Sequence, residues 1–402
     1  MQPSARATAA YCIVVDPAAR ERQRQDILDY CRINQVVIPE EFWLWDSWHV
    51  GKPKEREGFQ RLLALIQECR VASVVIDTPD HWQAPDWHDW IQHCRSVKLV
   101  SVHEGELTSH DLRILHHVFA EREQLLKGHW MPPGHFYSPI PCLAEVRRRE
   151  VEIFGTVPRE LPGIDLNVPG QWALLQEFKR YYRDLPFPPH KTEGWRYYYE
   201  NGYYSYSDGI FLYSMLRHLR PRRLIEVGCG YSSCVILDTS ERFLDRSIHC
   251  TFIEPCPERL LSLVEPGEAE RLHLVRQRLQ DVDLGLFAEL GANDVLFVDS
   301  THVAKVGSDV NRLFFDILPR LESGVFVHFH DVFYPFEYPK EWIYEGRAWN
   351  EDYLLRAFLQ FNSAFKIQFF NAFLEHFHAD WFRQEMPLCM KMPGASLWLK
   401  RL

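Results

Sequence analysis

The sequence predicts an α/β fold built on parallel sheets, and three observations lead to this prediction. Short apolar runs that suit buried strands alternate with longer segments of helical spacing over most of the chain. The run Val71–Ile76 is largely apolar and β-branched, which is typical of a strand buried on both faces. A glycine turn directly follows another strand-like run and leads into an apolar helix.

Length, composition and charge limit the classes of protein that the chain can form. It has 402 residues, 46% hydrophobic and 25% charged, which suits two or three globular domains and excludes a disordered or collagen-like chain. The net charge of -10 argues against general affinity for nucleic-acid backbones. No apolar run approaches the ~18 residues that cross a bilayer. None of the 10 cysteines forms a C-x-x-C pair, so we expect a cytoplasmic protein without disulfides.

The first stretch, residues 1–112, alternates strands and helices on a small scale, which predicts a small α/β domain with a parallel sheet. Its strands are predicted at residues 11–15, 42–45, 71–76 and 99–102. Its helices are predicted at residues 20–33, 56–69 and 87–95.

The middle stretch, residues 113–210, is rich in proline and tyrosine, with helical spacing at 112–126 and 171–183. Its aromatic density is too high for a disordered linker. We therefore expect a linker and a helical, aromatic cap that packs on the C-terminal domain.

The last stretch, residues 211–402, alternates again and predicts the larger sheet. Five strands are predicted at residues 224–227, 250–253, 272–275, 295–298 and 325–329. Helices are predicted between them at residues 233–238, 258–263 and 309–321. Two final strands, at 365–370 and 396–402, lack a full helical crossover pattern between them. We therefore expect these two to form an antiparallel pair at one edge of the sheet.

The glycine turn after the first strand of this stretch contains Glu226, Gly228, Gly230 and Ser232. Glycine lets the backbone approach a ligand closely, and ligands of doubly wound sheets bind beyond the carboxyl ends of the strands. Glu254 ends the next strand about 24 residues after Gly230, where a carboxylate can accept ribose hydroxyls. The combination predicts a nucleoside-binding site.

The chemistry of the turn favours a cationic ligand over a dinucleotide. Ser232 stands where the third glycine of a dinucleotide fingerprint would allow close approach to a pyrophosphate. Glu226 precedes the first glycine, where a carboxylate repels phosphate but can orient water or hold a cationic amino-acid group. S-adenosylmethionine carries a sulfonium and an ammonium and no phosphate, so we expect it as the cofactor.

Residues 130–402 resemble the class I S-adenosylmethionine-dependent methyltransferases, and more narrowly a bacterial branch of them. The resemblance rests on residues 226–230, 254, 280–281 and 298–299, on the terminal strand pair, and on the segments 133–139, 162–166, 204–208, 328–331 and 345–351. It implies a Rossmann-like sheet of seven strands, with Glu254 at the ribose and Asp281 at the adenine amine. The turn at Gly228 and Gly230 would face the methionine part of the donor.

Acids and histidines end two further strands of this sheet. Asp299 and His302 follow the fourth strand, and His330 and Asp331 end the fifth, so we expect all four near the transferred methyl group. In one interpretation Asp299, His302 and Asp331 hold a divalent cation such as Mg²⁺ that deprotonates a hydroxyl. In a second, His302 or His330 is a general base. In a third, the histidines only shape the pocket.

Six residues outside the strand ends are further candidates. Tyr204 and Tyr206 precede the first strand of the larger sheet, where aromatic residues could simply pack. Asp208 would cap a helix that begins at residue 209. Arg347, Trp349 and Asn350 lie in a polar and aromatic loop after the fifth strand, where lids that contact substrate usually form.

The first domain resembles the catalytic domain of serine recombinases (resolvases). The resemblance rests on Tyr11, residues 25–31, 46–47 with Gly51, 56–59, and 74–77 with Asp80. The nucleophilic serine of that family is missing after the first strand, where residues 13–16 read Ile-Val-Val-Asp, and later arginines are missing too. DNA cleavage needs both groups. We therefore expect a non-catalytic domain used for interaction or for forming a homo-oligomer.

The sequence thus predicts methyl transfer to a small-molecule or glycan acceptor, at a hydroxyl oxygen. One alternative is a binding or scaffold protein that has kept the fold without turnover. Another is a DNA-associated protein that acts through the first domain. The acidic charge and the missing serine argue against nucleic acid as a partner.

Overall fold

The structure is a computed structural model that describes residues 7–14, 17–47, 56–77, 90, 97–103, 105–107, 131 and 133–402. The chain divides into two compact units, Met1–Pro132 and Pro133–Leu402. The helix predicted at 112–126 lies outside the described residues, as does the one at 87–95 apart from Trp90. In the described part of the chain, no helix has both the length and the apolarity needed to cross a bilayer.

The first unit contains a five-stranded sheet in the order β2-β1-β3-β4-β5. Its strands are Ala7–Val14 (β1), Trp43–Ser47 (β2), Val71–Ile76 (β3), Lys98–Ser101 (β4) and Gly105–Leu107 (β5). All pairs are parallel except β4 with β5. The described helices are Pro17–Asn34 (α1) and Glu57–Gln67 (α2). The short antiparallel strand β5 was not predicted, because three residues are too few to form a recognisable pattern.

Asp46 joins strand β2 to the start of helix α2. Its carboxylate accepts the backbone N–H of Gly58 at 2.9 Å and of Phe59 at 2.8 Å, and the hydroxyl of Tyr11 at 2.9 Å. A Cβ on Gly58 would lie 2.7 Å from the carbonyl oxygen of Trp45, so only glycine allows this approach. The anchored helix buries Phe59 and its apolar neighbours against the sheet.

The second unit contains the seven strands that the sequence predicts. They are Arg223–Val227 (β6), His249–Ile253 (β7), His273–Val275 (β8), Val295–Val298 (β9), Phe326–His330 (β10), Phe365–Phe370 (β11) and Ser396–Arg401 (β12). The order is β11-β12-β10-β9-β6-β7-β8. Strand β12 is antiparallel to both of its neighbours, which confirms the predicted terminal pair. The other pairs are parallel.

Helices cover this sheet and connect its strands. They are Leu143–Arg148 (α3), Glu150–Phe154 (α4), Val168–Tyr182 (α5), Tyr206–Leu219 (α6), Tyr231–Phe243 (α7), Glu258–Leu261 (α8), Pro266–Ala269 (α9), Asp309–Arg312 (α10), Lys340–Tyr344 (α11), Glu351–Leu359 (α12), Asn371–Phe377 (α13) and Ala379–Glu385 (α14). The helix predicted at 309–321 continues past α10 as a π turn and then a 3₁₀ turn. The 3₁₀ turn contains Pro319, which has no backbone N–H with which to continue an α-helix.

Residues 133–210 are part of this second unit. Phe178 of α5 is fully buried and lies 5.3 Å from the ring of Phe369 in β11. Helix α6 is buried from Tyr206 to Leu216. The middle stretch therefore supplies part of the core that supports the sheet.

The strand order also locates a crevice. Strand β6 lies between β7 and β9, so the chain leaves β6 in one direction and returns on its other side. In open α/β sheets, ligands bind at the carboxyl ends of the strands that flank such a switch point. Here those ends carry the glycine turn and Asp299.

His328 is a buried, uncharged histidine in the middle of β10. Its ring stacks on Phe297 at 4.0 Å and meets the edge of Trp398 at 4.7 Å. Neither ring nitrogen has a hydrogen-bond partner among the described residues. Burial and the nearby charge of His330 lower the pKa of His328 to about 3.

The variant His328→Phe should unfold with less sensitivity to acid than the wild type. The ordinary histidine pKa of 6.5 lies above the folded value, so the unfolded chain takes up the proton preferentially and stability falls as the pH drops below 6.5. Between pH 7 and pH 5 the wild type should lose about 2 kcal/mol more unfolding free energy than the variant. Urea unfolding at both pH values measures the difference, and the exposed-site variant His376→Gln should follow the wild type.

Candidate active site

The glycine turn is locked against the ends of two neighbouring strands. Gly228 has φ +78°, and a Cβ at this position would lie 2.1 Å from the carbonyl oxygen of Asp299. The Gly228 N–H donates to the carbonyl of Ile253 at 3.0 Å, and the Asp299 N–H donates to the carbonyl of Val227 at 2.8 Å. The turn, the end of β7 and the end of β9 therefore form one rigid edge, and only glycine fits at its centre.

Glu226 lies beneath this turn and not on its surface. It is fully buried, and its carboxyl group accepts the hydroxyls of Ser232 at 2.5 Å and Ser233 at 2.6 Å. Burial raises the pKa of Glu226 to about 8, although both hydroxyls lower it. The Gly230 N–H donates to the Ser233 hydroxyl at 3.0 Å. The expectation that Glu226 faces a ligand is thus corrected: it shapes the turn from inside, and Ser232 holds it there.

The two other acids predicted to bind a nucleoside lie at different places. Glu254 is half-buried at the end of β7, beside the turn, and accepts the Cys256 N–H at 2.8 Å. Asp281 lies in a short 3₁₀ turn after β8, where its half-exposed carboxylate pairs with Arg278 at 2.8 Å. The hydrogen bond from Arg278 lowers the pKa of Asp281.

A tyrosine and arginine group lies next to the turn, and sequence reasoning missed it. A Cβ on Gly230 would lie 3.1 Å from Cδ of Arg259, whose guanidinium lies 4.2 Å from the ring centre of Tyr203. Tyr203 in turn stacks on Tyr231 with ring centres 5.8 Å apart. The run of tyrosines before β6 was the only signal for this group, because its members come from separate segments.

The four residues predicted at the ends of β9 and β10 converge in one cluster. Nε2 of His302 lies 3.3 Å from Oδ1 of Asp299 and 3.8 Å from Oδ2 of Asp331. Nδ1 of His330 lies 3.6 Å from Oδ1 of Asp299 and 3.7 Å from Oδ1 of Asp331. Two imidazoles thus face two carboxylates, and this set is called the imidazole–carboxylate cluster below.

The backbone of this cluster is strained. His302 has φ +60° and Asp331 has φ +57°, in the left-handed region that residues with a side chain rarely adopt. Such conformations cost about 1–3 kcal/mol each and concentrate at functional sites.

Mutual pairing sets the charges of the cluster. Burial lowers the pKa of His302, but hydrogen bonds to Asp299 and Glu351 outweigh it and raise that pKa to about 10. Burial also lowers the pKa of His330, but the carboxylates of Asp331, Asp299 and Asp208 outweigh it and hold that pKa well above its usual value. Burial would raise the pKa of Asp299, yet the two histidines hold it far below the usual range. Of the two carboxyl groups in the cluster, Asp331 is the one whose pKa burial raises overall.

Asp208 of helix α6 approaches this cluster at His330 and does not cap the helix. Helix α6 begins at Tyr206, so Asp208 lies inside its first turn. Its Oδ2 lies 3.8 Å from Nε2 of His330, while Oδ1 accepts the Ser396 hydroxyl at 2.8 Å and the Asn371 amide at 3.0 Å. The predicted capping role is therefore wrong, because the side chain turns toward the sheet.

The loop predicted to form a lid packs against this cluster. The Trp349 ring lies 4.3 Å from the His302 ring, and Asn350 hydrogen-bonds the backbone of Ala304. Arg347 pairs with Glu345 and stacks over Trp342 at 4.1 Å.

The cluster could also hold a metal ion. One donor atom each from Asp299, His302 and Asp331 lie within 4.8 Å of one another. Two carboxylate oxygens and one imidazole nitrogen suit a divalent transition metal better than Mg²⁺, which prefers oxygen ligands.

Comparisons with known proteins find a matching family model and a relative. Residues 225–332, which include the turn and the cluster, match the family model of a methyltransferase domain. A protein of Archaeoglobus fulgidus described as uncharacterized is 38% identical over 171 residues, which are 41% of this chain and 76% of the relative.

Two solved structures are similar at low identity. A methyltransferase of Podospora anserina, solved with SAH bound, is 14% identical with a TM-score of 0.33, covering 68% of this chain and 99% of that one. The N-terminal catalytic domain of TP901-1 integrase is 16% identical with a TM-score of 0.23, covering 30% of this chain and 98% of that one.

The substitution Gly228→Ala should destabilise the second unit through the contact with Asp299. Gly202→Ala is the matched control, because Gly202 has the same φ of +78° but open space where its Cβ would stand. Both variants pay the left-handed strain of ~1–2 kcal/mol, and the clash should cost Gly228→Ala about 2 kcal/mol more. Urea unfolding measures both, and equal losses would show that the turn is free to move.

Proposed function

The chain belongs to the same family as its Archaeoglobus fulgidus relative and is an S-adenosylmethionine-dependent methyltransferase. From this we propose that it methylates a hydroxyl oxygen of a small-molecule or glycan acceptor. One observation carries the proposal: the glycine turn touches the backbone of Asp299, whose side chain belongs to the imidazole–carboxylate cluster. A donor at the turn therefore has a proton-accepting cluster beside it.

The donor side of this proposal uses the turn and the end of β7. Gly228 and Gly230 let the backbone approach the methionine part of the donor. Glu254 is placed to accept the ribose hydroxyls at the carboxyl end of the neighbouring strand. Asp281 follows the next strand along, and its assigned partner is the adenine amine. Ser232 acts through Glu226 by holding the turn in shape.

The acceptor side of the proposal needs a proton acceptor. As the hydroxyl oxygen bonds to the methyl carbon, the carbon–sulfur bond breaks, the sulfonium becomes a neutral thioether and the hydroxyl proton must leave. His302 and His330 already hold their protons among the carboxylates, so they serve as hydrogen-bond donors. Asp331 is the general base in this scheme, because its raised pKa lies closer to neutrality than that of Asp299.

A divalent cation would offer a second route at the same place. Asp299, His302 and Asp331 would hold it, and a bound cation would acidify the acceptor hydroxyl. His302 would then bind through Nε2 as a neutral imidazole, with Nδ1 still facing Glu351.

For the first unit we propose a non-catalytic role in interaction or homo-oligomer formation. The residues it shares with serine recombinases serve the fold, since Asp46 is occupied by Gly58, Phe59 and Tyr11. The sequence offers no serine at residues 13–16, and the net charge of -10 disfavours DNA.

Asp331→Asn should abolish most turnover without loss of the donor site. Removing a general base lowers kcat by about 10²–10⁴-fold, whereas the affinity for S-adenosylhomocysteine should stay within a factor of two or so. Transfer of radiolabelled methyl from S-adenosylmethionine to phenols, catechols and nitrophenyl glycosides measures turnover. The exposed-site variant Asp380→Asn is the control, and methylation of amines alone would contradict a hydroxyl acceptor.

Glu254→Ala should weaken binding of S-adenosylhomocysteine by about tenfold or more, because two hydrogen bonds to a charged acceptor are lost. Isothermal titration calorimetry measures this. Glu258→Ala, four residues on and exposed, should bind as the wild type does. Equal affinities in all three proteins would remove the ribose role of Glu254.

A further inference from the structure

His302 is held by a segment about fifty residues further along the chain. The backbone N–H groups of Asn350 and Glu351 both donate to the His302 carbonyl, at 3.0 and 3.2 Å. The Asn350 side chain bridges Ala304, accepting its N–H at 2.6 Å and donating to its carbonyl at 3.2 Å. Trp349 packs on the imidazole. These contacts fix both the backbone and the ring plane of His302.

The side chain of Glu351 completes this hold. It is 1% exposed, and its Oε2 lies 2.9 Å from Nδ1 of His302 and accepts the Ser300 hydroxyl at 2.9 Å. The Ser300 oxygen in turn accepts the backbone N–H of His302 at 2.9 Å. Oε1 of Glu351 has no hydrogen-bond partner among the described residues. A buried carboxylate needs compensation, and here it comes through Oε2 alone.

This contact decides which nitrogen of His302 faces the reacting groups. A carboxylate at Nδ1 keeps the proton there and turns Nε2 outward. Nε2 is the atom that lies 3.3 Å from Asp299 and 3.8 Å from Asp331. A flipped ring would place a carbon against Glu351 and leave its Oε2 with the Ser300 hydroxyl as its one hydrogen-bond donor among the described residues.

We propose that Glu351 is a positioning residue that fixes the ring orientation of His302 and so presents Nε2 to Asp299 and Asp331. The inference deepens the proposed function and rests on it, because it assigns a supporting residue to the same cluster. Glu351 does not touch the reacting atoms itself. It acts through His302, whether Nε2 donates a hydrogen bond or binds a cation.

A purely structural role for Glu351 is the competing explanation. An acid at the first position of a helix is common, because it interacts favourably with the helix dipole. Its neighbour Asp352 is equally buried but accepts the backbone N–H of Phe333 at 3.1 Å, and no hydrogen bond links it to His302. Asp352→Asn is therefore the matched control, since it changes a buried carboxyl group on the same helix turn.

The experiment compares Glu351→Gln, Glu351→Ala and Asp352→Asn in the full chain. Nitrogen-15 NMR of labelled histidine, with His302 assigned by His302→Gln, reports the proton on Nδ1 and the strength of its hydrogen bond. The wild type should show a strongly deshielded proton on Nδ1, which Glu351→Ala loses. Glu351→Gln keeps a carbonyl acceptor and should retain the Nδ1 proton and the ring orientation with a weaker shift. Asp352→Asn should leave the signal unchanged.

Turnover should follow the signal. With phenols, catechols or nitrophenyl glycosides as acceptors, Glu351→Ala should lower kcat by about 10–100-fold, with partial rescue in Glu351→Gln and unchanged affinity for S-adenosylhomocysteine. A normal His302 signal in Glu351→Gln and Glu351→Ala, or normal kcat in both, would overturn the inference. An inactive wild type with an intact Nδ1 signal would instead defeat the proposed function and leave the positioning contact established.

Discussion

The second unit depends on the contact between the glycine turn after β6 and the backbone of Asp299 after β9. With 2.1 Å between a hypothetical Cβ and a carbonyl oxygen, no side chain fits at Gly228. Because the two strands are neighbours at the switch point of the sheet, this contact brings the donor turn and the imidazole–carboxylate cluster to one edge. Neither the turn nor the cluster could be moved without the other.

Alternation of charge then organises the cluster. Each imidazole faces carboxylates on more than one side: His302 lies among Asp299, Asp331 and Glu351, and His330 among Asp299, Asp331 and Asp208. Buried charges persist only when they are paired in this way. The arrangement keeps the histidines protonated and leaves Asp331 as the carboxyl group whose pKa is raised. Its strained backbone is supported by the surrounding hydrogen bonds.

Periodicity predicted the strands of the larger sheet because each is a compact apolar run, and chain order placed the acids at their carboxyl ends. The orientation of side chains could not be predicted in the same way. Glu226 turns inward because two serines in the first turn of α7, six and seven residues later, satisfy it. Asp208 meets Ser396 across 188 residues, and Glu351 meets His302 across 49. Such contacts depend on tertiary packing, and one sequence gives no signal for them.

The position of strand β12 affects the order in which the protein folds during synthesis. It lies between β10 and β11 and supplies Ser396, which holds the carboxylate that approaches His330. A ribosome-bound chain still lacking residue 396 could already form the glycine turn, but not the support under His330. Long-range pairing of this kind slows folding, so competence for chemistry would be acquired last, after synthesis has passed this strand.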